Sequence, residues 1–525
     1  MIEALLEALQ LIVFSPSIWM VIILSAIYGI FLGAIPGLTA TMAVALFVPI
    51  TYWMDPVPAL AGIATMTACA IFAGDIPTTL LRIPGTPASA AYVDDAYAFT
   101  RKGQSEKPLG MALTGSVMGG LFGAVILILL GGQLARVASM FSVAEYFWLY
   151  LLGLSSAVVV ARGPVLKSLL GLLIGLFLAL VGLSAVHTEA RFTFGLPQLY
   201  QGISFIPAMI GLFGLSEVLR NVMNIRKDRS IPDPAADTRE ETGAGGWLKR
   251  NIWRPFVSVF RSPVKLISGR KGDFLRSGLI GSVTGMLPGA GADMGSWISL
   301  AASKRSSKHP EEYGKGSLEG IADATTANSS ALAGTWIPAL VFGIPGDSIT
   351  AIVIGVLLMK NLNPGPEIFA SQPVLVYSIY LSFIIANLAL LVVGYVAIKT
   401  GRFVIKIPQK ILLPVILLFC IIGSFAIQGS YFDVGIMLGM GLLGFVLERR
   451  KIPLGPVVLG IILGGPLEER FIQTVTGSEG ILWPFFNRPI AALLGVGFLL
   501  LWGWTIWRNR KDKSEATDED VSMQS

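Results

Sequence analysis

Four short segments of this 525-residue chain combine proline and glycine with hydroxyl and carboxylate residues, inside otherwise apolar sequence. They form two pairs: GAIPGLTATM (33–42) with GMLPGAGADM (285–294), and IPTTLLRIPGTPASA (76–90) with IPALVFGIPGDSITA (337–351). Proline removes a helix donor and glycine permits positive φ, so each Pro-Gly can end one helix and let another begin. A helix N-terminus freed in this way presents unpaired N–H groups and a partial positive charge, which bind anions. Several converging N-termini would suit a substrate with several carboxylates.

The residues after each break are the candidates for such a site. Most are small hydroxyl or carboxylate residues, which are good helix N-caps and good oxygen ligands. The alternative is that each residue only caps a broken helix, and both interpretations stay open. The predicted coupling-ion ligands are Asn328 and Asp347. The residues predicted to bind substrate through backbone amides and hydroxyls are Thr39, Thr41, Gly85, Thr86, Gly289, Asp293, Gly346 and Ser348.

Polar residues also occur in IADATTANSSALAG (321–334), between apolar segments. They could coordinate a cation or donate to carboxylates, or they could form a small-residue packing face. Charges at membrane depth each cost about 2.5–3.5 kcal/mol on insertion scales. Asp75 and Arg82 flank the first IPTTLLRIPG motif, where they could pair with each other, or Arg82 could meet a substrate carboxylate. The other deep candidates are Asp293, Asp323 and Asp347.

The elements that position these segments are predicted to be membrane helices. The chain is 54% hydrophobic and 14% charged, whereas soluble domains are typically about 25% charged. Several apolar stretches reach the roughly 20 residues that a spanning helix needs. The sequence therefore predicts an all-α polytopic membrane protein with roughly 11–12 transmembrane segments, some broken or re-entrant. The net charge of +6 is attributed to cytoplasmic loops rather than to nucleic-acid binding.

The paired motifs indicate an internal duplication. The second copies begin 252 and 261 residues after the first copies, in the same order. Twelve basic residues at 226–276 place that loop in the cytoplasm by the positive-inside rule. Counting spans from it puts 100–107 inside and 360–373 outside, so the copies end on opposite sides. Inverted repeats with interrupted helices are typical of secondary transporters.

The predicted organisation is a single membrane domain over 1–525. Its parts are repeat 1 at 17–108, intervening spans at 108–225, the basic cytoplasmic loop at 226–276, repeat 2 at 277–373, C-terminal spans at 374–507 and a cytoplasmic tail at 508–525.

Other function classes lack their motifs. The chain has no G-x-x-x-x-G-K-[ST] and no H-E-x-x-H. GAGAD (289–293) is similar to the G-x-G-D of intramembrane aspartyl proteases, but it is one residue too long and lacks a clear partner aspartate. The sequence therefore indicates a protein that is not an enzyme. A passive anion channel or a membrane sensor stays as the alternative.

The long motifs resemble one transporter family. GAIPGLTATM, DIPTTLLRIPGTPASAA, GMLPGAGADMGSWISLAASKR and TTANSSALAGTWIPALVFGIPGDSITAIVIGVLLMKNLNPGP are similar to the large membrane subunit of the tripartite tricarboxylate transporters, the TctA family, over about residues 15–505. The resemblance implies a bacterial inner-membrane permease. It also implies a small membrane subunit of the TctB type and a periplasmic substrate-binding protein of the TctC type. The basic tail RNRKDK, beside the last span, places the C-terminus in the cytoplasm.

The resemblance further implies symport driven by Na⁺ or H⁺. The implied substrate is citrate or another tricarboxylate, or a related dicarboxylate or aromatic carboxylate. No cofactor is implied, apart from Na⁺ as a coupling ion.

Overall fold

The computed structural model describes residues 2–161, 163–184, 189–224, 254–289, 291–404 and 409–524. In these residues the chain is almost entirely helical. Its helices are α1 (Ile2–Phe14), α2 (Pro16–Gly33), α3 (Ala40–Thr51), α4 (Pro56–Ala73), α5 (Asp75–Leu81), α6 (Val93–Thr100), α7 (Glu106–Ala138), α8 (Val143–Val160), α9 (Val165–Ala179), α10 (Phe205–Met209) and α11 (Ser216–Asn224), followed by α12 (Arg254–Gly269), α13 (Lys271–Met286), α14 (Gly291–Ser306), α15 (Leu318–Phe342), α16 (Ser348–Met359), α17 (Ile368–Ser371), α18 (Pro373–Val404), α19 (Gln409–Gln428), α20 (Tyr431–Arg449), α21 (Leu454–Gly477) and α22 (Pro489–Gln524).

Irregular and extended elements are few among the described residues. Short 3-10 helices occur at Ser89–Tyr92, Pro197–Leu199, Pro310–Glu312 and Trp483–Phe485, and a π-helical stretch, Ile210–Leu215, joins α10 to α11. Strands β1 (Gly182–Leu183) and β2 (Ala190–Arg191) form an antiparallel pair.

Nine described helical segments are long and apolar enough to cross a membrane. Three shorter apolar helices, α3, α9 and α16, accompany them. The prediction of an all-α polytopic membrane protein is confirmed. Of the predicted basic loop, 226–253 lies outside the described residues, and the remainder forms α12 and the start of α13.

The chain forms two compact units. The first comprises Met1–Ala138 and Ser204–Arg449, and it contains all four Pro-Gly breaks. The second comprises Ser139–Ile203 and Arg450–Ser525. In the second unit, the Trp148 indole donates to the Phe485 carbonyl at 2.8 Å, and Arg191 pairs with Glu468 at 2.7 Å.

Within the first unit, the first and third helices of each repeat lie side by side and run in the same direction. Gly29 and Gly33 of α2 lie against Met66 and Ala70 of α4, in matching order. In repeat 2, α13 lies along α15 in the same way. Between each pair a return helix, α3 or α14, brings the chain back. The Pro-Gly break therefore lies at the turn of each α2–α3 or α13–α14 hairpin.

The long helix after repeat 1 packs on repeat 2. Gly115 of α7 faces Thr325 of α15, and Gly123 faces Ser330, so α7 and α15 run in parallel. Because these glycines carry no side chain, the two backbones can approach closely and pack through van der Waals contacts. In a membrane, such contacts rather than the hydrophobic effect favour helix association.

The long helix after repeat 2 packs on repeat 1. Gly394 of α18 faces Phe72 of α4, and Gly401 faces Ile76 of α5, so α18 runs parallel to α4. Each repeat therefore packs against the long helix that follows the other repeat.

Helices α7 and α18 pack against each other in opposite directions. Gly120 of α7 lies against Asn387 of α18, and Glu106 at the start of α7 pairs with Lys399 near the end of α18. Since α7 is parallel to α15 and α18 is parallel to α4, the corresponding helices α4 and α15 run in opposite directions. This antiparallel arrangement agrees with the predicted inversion.

Candidate functional site

The second break of each repeat, Pro84-Gly85 or Pro345-Gly346, follows a helix that ends in the same way. Arg82 has φ 57° and Gly343, at the corresponding position, has φ 68°. In repeat 1 the Ile83 N–H donates to the Pro77 carbonyl at 3.3 Å, and repeat 2 has the matching bond at 3.2 Å. Glycine adopts positive φ freely, whereas an arginine there is uncommon. The geometry of this cap is thus kept even where glycine is absent.

Of the two alternatives for Asp75 and Arg82, the pairing of these residues with each other is wrong. Arg82 donates from Nε and Nη2 to Asp94 at 2.9 and 2.7 Å, and both side chains are exposed. Asp75 is buried, and it accepts a hydrogen bond from the Tyr92 hydroxyl at 2.6 Å. The left-handed conformation of Arg82 ends α5, and its side chain meets Asp94 instead.

Each second break is followed by a reciprocal capping box. In repeat 1, the Ser89 N–H donates to Thr86 Oγ1 at 3.1 Å, and the Thr86 N–H donates to Ser89 Oγ at 3.0 Å. In repeat 2, the Thr350 N–H donates to Asp347 Oδ1 at 2.8 Å, and the Asp347 N–H donates to Thr350 Oγ1 at 3.0 Å. The capping interpretation therefore describes the side chains of Thr86 and Asp347.

Removing one capping hydroxyl should weaken repeat 2 measurably. Thr350→Val keeps the shape of this buried side chain but removes its bonds to Asp347, so we expect the free energy of unfolding to fall by about 1–2 kcal/mol. The control is Thr400→Val, because Thr400 is exposed and its hydroxyl donates to the Val396 carbonyl of its own helix. Thermal unfolding in detergent checks this, and equal shifts for both variants would contradict it.

The first breaks, Pro36-Gly37 and Pro288-Gly289, are held by different partners. Thr39 Oγ1 accepts from the Met42 N–H at 3.2 Å and so caps α3. The Gly37 carbonyl accepts from Asn221 Nδ2 at 3.1 Å. In repeat 2, the Gly289 N–H donates to the Gly346 carbonyl at 2.9 Å, which ties the first break directly to the second.

The start of α14 contacts both second breaks. Ser296 Oγ donates to the Ala88 carbonyl at 3.2 Å, and Trp297 Nε1 donates to the Pro87 carbonyl at 3.1 Å. On the same helix, a Cβ built on Gly291 would lie 3.2 Å from Asp347 Cβ. Broken segments from both repeats therefore meet at one place.

The remaining segment, α3, packs beside α16. Each of the two helices has 12 residues, about 18 Å of helix. At their C-terminal ends, Lys360 Nζ donates to the Tyr52 carbonyl at 2.7 Å and to the Met54 carbonyl. Segments from three breaks thus meet, and α3, which follows the fourth break, lies against one of them.

The predicted site residues differ in their accessibility. Half-buried positions are Thr39, Thr41, Gly289, Asp293, Asp347 and Ser348, and buried positions are Gly85, Thr86 and Gly346. Asn328 lies on α15 with 5% of its surface exposed, and its side chain forms no hydrogen bond with any residue that the structure describes. It lies two helical turns from Thr335, whose Cβ approaches Gly346. An amide without a partner at this depth is a candidate ligand.

Two contributors were missed by sequence reasoning. Asn221, which binds the Gly37 carbonyl, comes from α11, 184 residues away in sequence, and its amide also donates to Glu217 Oε1 at 2.8 Å. Ser296 reaches Ala88 across 208 residues. The signal for Asn221 was a polar group, Glu217 to Asn221, at the end of an apolar span. Among the described residues no cluster of three or more His, Cys, Asp or Glu side chains could hold a metal ion.

Comparison with known proteins identifies the family of this chain. A family model described as the tripartite tricarboxylate transporter TctA family matches residues 19–459. An Agrobacterium vitis protein, named as an uncharacterized 52.8 kDa protein in the TAR-I ttuC' 3' region, is 34% identical over 470 residues, 89% of each chain. A second protein of that organism, from the TAR-II ttuC' 3' region, is 37% identical over 220 residues, 42% of this chain and 91% of its own. No solved structure gives a significant match. The chain therefore belongs to the tripartite tricarboxylate transporter TctA family, and it is a membrane component of such a transporter.

Proposed function

We propose that this chain is the large permease subunit of a binding-protein-dependent transporter that takes up carboxylates by secondary, ion-driven transport. The observation that carries the proposal is the contact among three broken segments, at the starts of α14 and α16 and the turn that leads to α6, with α3 packed beside α16. Helix N-termini bind carboxylates through N–H groups and the helix dipole, without a buried cationic side chain. Discontinuous helices of inverted repeats serve this purpose in secondary transporters.

The proposed substrate is a tricarboxylate such as citrate, or a related dicarboxylate or aromatic carboxylate. Arg82, the cationic candidate of the second breaks, is exposed and occupied by Asp94. Recognition through Thr39, Thr41, Gly85, Thr86, Gly289, Asp293, Gly346 and Ser348 would therefore depend mainly on backbone N–H groups and hydroxyls. Such groups recognise carboxylates as a class.

The proposed driving force is a gradient of Na⁺ or H⁺. Asn328 and Asp347 are the proposed ion ligands near the site. Asp347 Oδ1 accepts from the backbone and the hydroxyl of Thr350, so its carboxylate is held in a fixed orientation. A small membrane subunit of the TctB type and a periplasmic binding protein of the TctC type are the proposed partners. We place the complex in the bacterial inner membrane with the C-terminus of this chain in the cytoplasm.

Leucine at the break glycines would not test this site cleanly. A Cβ on Gly85 would lie 2.5 Å from Gly74 Cα, and one on Gly346 would lie 2.7 Å from the Gly285 carbonyl oxygen. Backbone atoms cannot move away as a flexible side chain could, so these variants would disturb the packing before they reported on a ligand.

Ser348 offers a sharper test, because it is half-buried at the first position of α16. Ser348→Asp is favourable to the helix, since negative charge stabilises a helix N-terminus. The same charge about 5 Å from a bound carboxylate opposes binding by about 3 kcal/mol at an effective dielectric constant near 20. We therefore expect uptake of labelled citrate to fall on the order of 100-fold. Ser348→Ala, which adds no charge, should stay within about threefold of the parent.

The assay uses proteoliposomes that contain the complete three-component system. Labelled citrate, a dicarboxylate and an aromatic carboxylate are offered separately, with and without an imposed ion gradient. Accumulation that collapses with an ionophore supports secondary transport. Equilibration without accumulation would favour a passive anion channel, and no movement of any carboxylate would favour a sensor. Equal uptake by Ser348→Asp and Ser348→Ala would remove α16 from the site.

A further inference from the structure

A single buried carboxylate lies beside the loop of the second break in repeat 1. Asp75, at the junction of α4 and α5, has 3% of its surface exposed. The Tyr92 hydroxyl donates to its Oδ1 at 2.6 Å and is the one side-chain partner of this carboxylate among the described residues. Tyr92 is itself fully buried. No described cationic side chain pairs with Asp75, which separates it from the other buried carboxylates that have such partners.

Three carboxylates on the elements packed against α5 have partners of their own. Asp94 pairs with Arg82, and Glu106 of α7 pairs with Lys399 of α18. Asp95 Oδ1 accepts three backbone N–H bonds, from Gly314, Gly316 and Ser317. Further ionisable side chains on these elements are Cys69 of α4, Tyr97 of α6, Lys107 of α7 and Tyr395 of α18. Lys107 donates a hydrogen bond to Gln104.

Asp75 is linked to the break by short hydrogen bonds. Tyr92 belongs to the same 3-10 turn as Ser89. Thr78 Oγ1 lies 2.9 Å from Ser89 Oγ, accepts from the Gly85 N–H at 3.1 Å, and donates to the Gly74 carbonyl at 2.7 Å. Gly74 directly precedes Asp75 and packs on Gly85. A change of charge at Asp75 would therefore act directly on the loop between Gly85 and Ser89.

The second repeat carries no ionisable side chain at this position. The motif alignment that pairs Ile76 with Ile337 places Trp336 opposite Asp75. Trp336 is buried and packs edge-on against Phe383. The duplication thus keeps the broken helix in both copies but retains a carboxylate in only one. The fold itself does not require an acid there.

We propose that Asp75, with Tyr92 as its hydrogen-bond partner, binds the proton whose movement drives transport. A buried carboxylate without a cation is costly, and a proton taken from water on one side removes the charge. When the proton leaves to the other side, the carboxylate must gain water or another partner, and the loop at Gly85 is the element beside it. Intramembrane acids in this setting commonly belong to proton relays. The proposal rests on the proposed secondary transport; it names the proton as the driving ion and moves the role of binding that ion from Asn328 and Asp347 to Asp75.

Infrared spectroscopy tests the proton site without reference to transport. The full chain in lipid nanodiscs should show the carbonyl stretching band of a protonated carboxyl group, which disappears as pH rises. Asp75→Asn, whose amide oxygen can still accept from Tyr92, should lose this band. Tyr92→Phe keeps the carboxyl group and removes only its hydrogen-bond donor, so it should retain the band with a changed midpoint. Asp94→Asn is the control and should leave the band unchanged. A parent protein without the band, or a band that survives in Asp75→Asn, would overturn the proposal.

Transport by the complete system gives the second readout, with labelled citrate as the probe. A proton gradient should drive accumulation in the parent and in Asp94→Asn, but not in Asp75→Asn. Exchange of labelled for unlabelled citrate needs no net proton movement, and Asp75→Asn should retain it. Gradient-driven accumulation by Asp75→Asn, or accumulation that only a Na⁺ gradient drives, would overturn the proposal. If no citrate moves in the parent, the substrate assignment fails, while the infrared band still decides the proton site.

Discussion

Replacing Asp323 by alanine is expected to lower the free energy of unfolding by about 3 kcal/mol, the lower end of the range for breaking a buried ion pair. Asp323 Oδ2 lies 3.4 Å from Arg270 Nη2 and 3.2 Å from Arg276 Nη2, and its side chain is 5% exposed. Its removal leaves two arginines partly buried between α13 and α15. Asp273 and Glu319 also pair with Arg270, which limits the loss.

The exposed pair of Arg82 and Asp94 is the matched control. Its side chains are 61% and 51% exposed, so water replaces much of what the pair provides. Asp94→Ala should therefore lower the free energy of unfolding by less than about 1 kcal/mol. Denaturant unfolding in mixed micelles measures both variants. Equal losses would show that burial does not strengthen the Asp323 cluster. If Asp323→Asn kept the stability of the parent but its uptake no longer depended on the ion gradient, Asp323 would again be a candidate ion ligand.

Replacing Gly119 by alanine is the second variant with a large expected effect. A Cβ at this position of α7 would lie 2.7 Å from Thr326 Cα, closer than real Cβ contacts come, so α7 and α15 would have to separate. Overpacking of this kind typically costs about 1–3 kcal/mol. Because this seam joins the long helix after repeat 1 to the broken helix of repeat 2, we expect uptake to fall with stability.

Gly132 provides the control on the same helix. A Cβ there would meet nothing within 4 Å. Gly132→Ala should be neutral or stabilising by up to about 1 kcal/mol, since alanine has the higher helix propensity. Thermal unfolding and folded yield of the two variants give the comparison. Equal behaviour of Gly119→Ala and Gly132→Ala would show that α7 and α15 do not depend on close backbone contact.

The polar stretch 321–334 illustrates how two interpretations can both apply. Much of it serves helix packing: Ser330 Oγ lies 2.7 Å from Ser282 Oγ, and Thr325 lies against Gly115. Asp323 pairs with arginines at the start of α13. Asn328 has no such partner among the residues that the structure describes, and it stays a proposed ligand. Periodicity alone could not separate these roles, because every position in the stretch except Ile321 and Leu332 is small or polar.

The sequence by itself determined where the helices break and that the breaks are duplicated. Proline and glycine act on the residues beside them, so the breaks at Pro36-Gly37, Pro84-Gly85, Pro288-Gly289 and Pro345-Gly346 could be predicted without knowledge of the fold. Capping was also local: Thr86 and Ser89, or Asp347 and Thr350, are three residues apart. The all-α membrane class followed from the hydrophobic content in the same way.

Only the tertiary structure decided which partner each polar group found. Asp75 bonds Tyr92 rather than Arg82, Gly37 is held by Asn221 of α11, and Ser296 of one repeat meets Ala88 of the other. These contacts depend on the rotation and crossing of packed helices, which residue type and spacing do not specify. The residues that break a helix determine the backbone conformation beside them. The meeting of the broken ends requires the whole set of packed helices.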